Sequence, residues 1–130
     1  MVDSIIEKSS VEQDEIALLD LAYLHQHSLG NAALETEMLE LFLRQSMRLL
    51  LEFNVRTEPR EWRDFARTLK SSASGIGALE VAQIAERLEL CGQSKESAET
   101  RALLAALETA VLKVNDCIRH HLQKNLSLSH

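Results

Sequence analysis

Hydrophobic residues recur along this chain at intervals of three and four, which is the spacing of one face of an α-helix. The longest such run predicts a helix from Ala32 to Val55. Its inner face is predicted to contain Leu34, Met38, Leu41, Phe42, Gln45, Leu49 and Phe53. A shorter run, Val11 to His27, predicts a preceding helix with Ile16, Leu19, Ala22 and Tyr23 on one face.

The same spacing predicts three more helices. One runs from Pro59 to Ser74, with Trp62, Phe65, Ala66, Leu69, Ala73 and Ile76 facing inward. The next begins at Ala78 and faces inward with Leu79, Ala82, Ala85, Leu88 and Cys91. The last has an inner face of Leu103, Leu104, Leu107, Val111, Val114 and Ile118, and the sequence after Leu122 turns polar.

Turn-forming residues separate these segments. Gly30 suits the left-handed position after a helix, and Asn31 suits the N-cap of the next helix. Pro59 fits a first helical turn, where its missing N–H costs nothing. The other predicted breaks are Gly75-Ile76-Gly77, Gly92, and Ser94 or Ser97 as the last N-cap.

Four substantial helices with short connections predict an all-α fold, because short connections make sequential helices antiparallel neighbours. We therefore expect an up-and-down antiparallel four-helix bundle with a short extra N-terminal helix. Residues 11–124 would form the bundle, residues 1–10 a flexible lead-in and residues 125–130 a flexible tail.

Composition and charge argue against some classes of partner and location. The chain of 130 residues is 45% hydrophobic and carries a net charge of −6, which argues against nucleic acid as a partner. The N-terminus lacks the pattern of a signal peptide, and no stretch approaches the roughly 18 apolar residues of a membrane span. We expect a cytoplasmic protein without membrane insertion, in which Cys91 and Cys117 are buried thiols.

The outer face of the Pro59–Ser74 helix is basic on this acidic protein. Arg60, Arg63, Arg67 and Lys70 follow one another at spacings of three, four and three, and we call these four residues the basic strip. Such a strip is either a solvated helix face or a docking site for an acidic partner. The short side chains of Ser71 and Ser74 would let a partner backbone approach, which favours docking.

The segment from Phe65 to Ala78, followed by Arg87-Leu88-Glu89, resembles the signature of histidine-containing phosphotransfer (HPt) domains. That pattern is roughly A-H-x-L-K-G-S-A, then G-A, then a later L-E. The matching residues are Ala66, Leu69, Lys70, Ser72, Ala73, Gly77, Ala78, Leu88 and Glu89. The resemblance implies a four-helix bundle in a two-component phosphorelay, where an exposed His carries a phosphoryl group between receiver-domain aspartates.

Two positions depart from that pattern. Arg67 stands where the family has its phosphoacceptor His, and Ser71 stands where it has Gly. A guanidinium remains protonated in proteins and offers no lone pair for phosphoryl transfer. The resemblance therefore implies a pseudo-HPt domain that is not an enzyme and needs no cofactor. It would dock response-regulator receiver domains or a hybrid sensor kinase through Arg60, Arg63, Arg67, Lys70, Ser71 and Ser74.

Two alternatives stay open. The chain could be an active phosphotransfer protein that uses His25, His27, His120 or His121, although each pair sits at a spacing whose side chains diverge. It could also be a helical adaptor unrelated to receivers. No Glu-x-x-His occurs, so we predict no di-metal site, and Leu51 on an outer face marks a candidate contact.

Overall fold

The computed structural model describes residues 19–55, 58–91 and 97–128. All regular structure in these ranges is helical: α1 (Leu21–His27), α2 (Ala32–Val55), α3 (Pro59–Gly75), α4 (Leu79–Cys91) and α5 (Ala98–Leu128). The predicted all-α class is confirmed for this part of the chain. The lead-in 1–10, the start of the first predicted helix, Gly92 and Ser94 lie outside the described residues.

Within the described residues, helix α1 begins at Leu21, whereas the prediction had helix at Leu19 and Asp20 as well. Asp20 has an extended backbone, and its Oδ1 accepts a hydrogen bond from the Tyr23 N–H at 3.1 Å, so it is the N-cap of the seven-residue helix. Leu19 is buried, but it precedes the first residue of the helix. Its position therefore does not indicate which face of the helix is buried. Of the predicted inner face, Leu19 is buried and Tyr23 is half-buried, but Ala22 is exposed and Leu24 is buried instead. Ile16 lies outside the described residues.

The bounds of α2 agree with the prediction, and its N-terminus is capped as expected. Gly30 adopts a φ of +75°, and Asn31 Oδ1 accepts a hydrogen bond from the Leu34 N–H at 3.1 Å. Leu29 also lies in the left-handed region, at a φ of +56°. The turn thus uses two consecutive left-handed residues where the sequence suggested one.

The inner face of α2 is rotated from the predicted one. The buried positions are Leu39, Phe42, Ser46, Leu49, Leu50 and Phe53. Leu34 and Leu41, predicted to be inside, are 39% and 53% exposed. The rotation arises because α2 packs against α5 as well as against α3, so burial extends to positions 46 and 50.

A buried polar pair joins α2 to α5. Asn115 Nδ2 donates to Ser46 Oγ at 3.2 Å, and Ser46 Oγ donates to the Leu43 carbonyl at 3.3 Å. Both side chains are fully buried, so each needs the other to offset the cost of leaving water. No sequence pattern predicted this pair, which ties residue 46 of α2 to residue 115 of α5.

Helix α3 packs as predicted. Trp62, Ala66, Leu69, Ala73 and Ile76 are buried, and Phe65 is half-buried against the core. The rings of Trp62 and Phe65 both meet Phe53 of α2 edge to face, at centroid distances of 5.8 and 5.9 Å.

The turn after α3 is a Schellman motif. The Ala78 N–H donates to the Ala73 carbonyl at 2.9 Å, and the Gly77 N–H donates to the Ser74 carbonyl at 3.3 Å. Gly77 has a φ of +79°, and its carbonyl accepts the Asp20 N–H at 3.0 Å. This hydrogen bond fixes the segment before α1 onto the turn between α3 and α4.

Helices α4 and α5 follow most of the prediction. Ala82, Ala85 and Leu88 are buried, whereas Leu79 is 44% exposed because Ala78 and Val81 occupy the inward positions. The Cys91 side chain lies outside the described residues. In α5 the predicted inner face is buried, with Leu104 partly buried against it, and Cys117 is half-buried rather than buried.

Helix α5 has one of its two predicted N-caps and extends beyond its predicted end. Ser97 Oγ accepts the Thr100 N–H at 3.5 Å, so Ser97 rather than Ser94 is the described cap. The helix continues to Leu128, so residues 125–128 of the predicted tail are helical. No Gly or Pro occurs after Leu122 to end it.

The described helices form a bundle around one core. Helix α3 packs on α4, α4 on α5, α5 on α2, and α2 on α3.

None of the helices in the described ranges combines the length and the apolar character that crossing a membrane requires. Leu51 is 65% exposed, as its predicted outer position requires.

Substituting Gly77 by Ala should destabilise the fold. A Cβ at Gly77 would lie 2.6 Å from the Asp20 carbonyl oxygen, and a left-handed backbone costs a non-glycine residue about 1–2 kcal/mol. We expect a loss of about 2 kcal/mol or more in the free energy of unfolding, measured by urea denaturation. Gly75→Ala is the control. It meets no atom within 4 Å and should gain about 0.5–1 kcal/mol.

Candidate functional site

The basic strip lies on the outer surface of α3. Arg60, Arg63 and Arg67 are exposed and Lys70 is half-buried, because the opposite side of the helix is packed into the core. Arg60 and Arg63 have no acidic partner within the described residues. The strip therefore presents cations to solvent, as its helical spacing predicted.

Arg67 is tied to α4. Its Nε donates to Glu89 Oε1 at 3.0 Å, with the Arg67 side chain 67% exposed and the Glu89 side chain 19% exposed. In the sequence, Glu89 matched the later L-E of the HPt pattern, but the match assigned no role to its side chain. The structure places it beside Arg67.

A second, looser ion pair lies one turn further along α3. Lys70 Nζ lies 3.4 Å from Glu86 Oε1, and these side chains are 39% and 51% exposed. The two pairs have matched spacing, since Arg67 and Lys70 are three residues apart on α3, as are Glu86 and Glu89 on α4. Two of the four cations of the strip are therefore already next to a carboxylate.

A groove opens between α2 and the C-terminal part of α3, where Ser71 follows the last residue of the strip. It has a volume of about 190 Å³ and is lined by Met38, Leu41, Phe42, Gln45, Ser71, Ser72, Gly75 and Ile76. Small-molecule sites usually enclose about 300–1,000 Å³, so this groove suits a single apolar side chain of a partner better than a cofactor. Sequence reasoning missed it because it placed Leu41 in the core.

Serine residues shape the region between groove and strip. Ser71, at the position where the family pattern has Gly, is exposed and lines the groove. Ser72 Oγ donates to Gln45 Oε1 at 2.8 Å and so links α3 to α2. Ser74 is half-buried and does not line the groove. Of the two predicted contact serines, the structure places only Ser71 fully on the accessible surface.

Comparisons with known proteins add no assignment to this site. No protein-family model, curated protein or solved structure matches this chain. Any function of the site therefore follows from the chemistry of its own residues. Arg67 can bind carboxylate or phosphate groups through charge-assisted hydrogen bonds, but it cannot act as a nucleophile toward phosphorus.

The histidines considered as substitute phosphoacceptors lie on other helices. His25 Nδ1 is 2.9 Å from Glu35 Oε1, and the His27 ring stacks on Tyr23 at 4.1 Å, both on α1. His120 and His121 lie on α5. No histidine in the described ranges lies on α3 or α4, so none shares a helix with Lys70 or Glu89.

The described residues contain no group of three or more His, Cys, Asp or Glu side chains that could hold a metal ion. The carboxylates nearest the strip, Glu86 and Glu89, instead pair with Lys70 and Arg67.

Removing Arg67 should barely affect stability. Exposed ion pairs contribute about 0.2–1 kcal/mol, so Arg67→Ala should lower the free energy of unfolding by less than about 1 kcal/mol. Trp62→Ala is the contrasting change on the same helix, and it should cost about 3–5 kcal/mol because Trp62 is buried. Guanidinium denaturation followed by circular dichroism measures both. A large loss for Arg67→Ala would show that Arg67 is structural.

Proposed function

We propose that this protein is a pseudo-HPt domain of a two-component phosphorelay. It docks response-regulator receiver domains, or the receiver part of a hybrid sensor kinase, without carrying phosphate. The observation that carries the proposal is the exposed Arg67 guanidinium, which occupies the phosphoacceptor position of a motif that departs elsewhere only at Ser71. In this proposal the protein works in the cytoplasm and has no enzymatic activity.

The architecture that we propose is the up-and-down antiparallel four-helix bundle of α2 to α5. Two observations support it. The ion pairs between α3 and α4 join residue 67 to 89 and residue 70 to 86, so sequence order runs in opposite directions on the two helices. The helix pairs that pack also form a closed ring, in which α2 meets both α3 and α5.

Charge complementarity supports a receiver as partner. A receiver's phosphorylation pocket is acidic, and a projecting guanidinium can pair with its carboxylates in place of a phosphohistidine. Arg60 and Arg63 extend the positive surface, while the groove beside Ser71 accepts an apolar side chain. By occupying the pocket, the protein would compete with active phosphotransfer proteins.

Arg67→Ala should weaken binding to a cognate unphosphorylated receiver by about tenfold or more, because it removes a charged contact from the centre of the interface. Isothermal calorimetry across the receivers of the source organism measures this. Arg119→Ala is a matched control, since Arg119 is also exposed and paired with a neighbouring carboxylate, but on α5. Equal affinities for the two variants would contradict the proposal.

Arg67→His should introduce phosphate acceptance, because a neutral imidazole nitrogen can attack the aspartyl phosphate and release the aspartate carboxylate. Incubation with a receiver that carries labelled phosphate should leave an acid-labile label on the variant and none on the wild type. A label on the wild-type protein would show that another histidine serves as acceptor. It would therefore contradict a role without transfer.

A further inference from the structure

Arg67 uses only one of its hydrogen-bond donors within the described residues. A guanidinium has five N–H groups, one on Nε and two on each Nη. The Nε–H donates to Glu89, and neither Nη has a hydrogen-bond partner in the described part of the chain. The free donors are thus the four at the outer end of the side chain, which is 67% exposed.

Glu89 reaches Arg67 from a firmly packed position. Its neighbour Leu88 and the preceding Ala85 are buried, so α4 cannot rotate without exposing them. Ala66 and Leu69 fix α3 in the same way on the other side of the contact. The Glu89 side chain is only 19% exposed, which restricts its own motion.

We propose that Glu89 is a positioning residue, which holds Arg67 by Nε so that its two Nη groups point outward for bidentate capture of a partner carboxylate. This inference rests on the proposed function and adds to it the geometry of the contact. Two parallel N–H···O bonds from a planar guanidinium match the two oxygens of a carboxylate. Restricting the side chain beforehand removes part of the entropy lost on binding.

Glu89 also has an opposing effect, because its negative charge repels an incoming carboxylate. Both effects are modest at an exposed site, and removal of Glu89 changes them together. A pair of variants with the same charge separates them. Glu89→Gln and Glu89→Ala both remove one negative charge, but only Gln keeps an oxygen that can accept the Arg67 Nε–H.

The test compares these two variants in calorimetric titrations with the unphosphorylated receiver. We expect Glu89→Ala to bind about threefold to tenfold more weakly than Glu89→Gln, which is the range expected for ordering one long side chain. The difference should vanish when Arg67 is also replaced by Ala. Equal or tighter binding of Glu89→Ala, or a difference that persists without Arg67, would overturn the inference.

A matched control uses the neighbouring pair. Glu86 contacts Lys70, whose ammonium group is a point charge that rotates its three donors freely. Glu86→Gln and Glu86→Ala should therefore bind the receiver equally. A difference as large as that at position 89 would mean that any acceptor on α4 has the same effect, which would also overturn the positioning role.

A measurement on the free protein separates this inference from the proposed function. The heteronuclear NOE of the Arg67 Nε–H reports how ordered the side chain is. It should stay high in the wild type and Glu89→Gln, and fall in Glu89→Ala. If no receiver binds any variant, the proposed function and the carboxylate capture both fail, yet the NOE still decides whether Glu89 orders Arg67. An unchanged NOE in Glu89→Ala would reject positioning by Glu89 even if receivers bind.

Discussion

Burial of one face of α3 determines what the other face can present. Ala66, Leu69 and Ala73 have no exposed surface, so rotating the helix would expose apolar area and open gaps beside α2 and α4. Because side chains three and four residues apart share a face, this burial leaves Arg60, Arg63 and Arg67 pointing to solvent. The location of the basic strip is thus a consequence of core packing, which fixes the backbone positions from which its side chains project.

Features of the fold that depend on the sequence pattern of a single helix or turn could be predicted. The bounds of α2, the inner faces of α3 and α5, and the Gly77 turn follow from periodicity and from left-handed glycine geometry. The misplacement of Leu34 and Leu41 has a different origin. Periodicity identifies the apolar arc of a helix, but the neighbouring helices decide which part of that arc is buried. Because α5 packs against α2, the buried face of α2 includes Ser46.

For the candidate site, the exposure of single residues was predicted from the sequence, but contacts between helices were not. The exposure of Arg67 followed from a helical wheel, whereas its contact with Glu89 depends on the phases of two helices and on their separation. The matched spacing of Arg67 and Lys70 with Glu86 and Glu89 was visible in the sequence and could have suggested the pairing. The α2–α3 groove had no such sequence pattern, because it depends on which leucines remain uncovered.

Under the proposed function, Arg67 places a permanent cation where an HPt domain would have a titratable nucleophile. The proposed docking to receivers is tested most directly by titrating an unphosphorylated receiver into ¹⁵N-labelled protein and following amide chemical shifts. We expect the changes to concentrate on residues 60–75 and on the groove residues of α2 from Met38 to Gln45. Changes confined to α1 or α5, or no change with any receiver, would contradict the proposed docking.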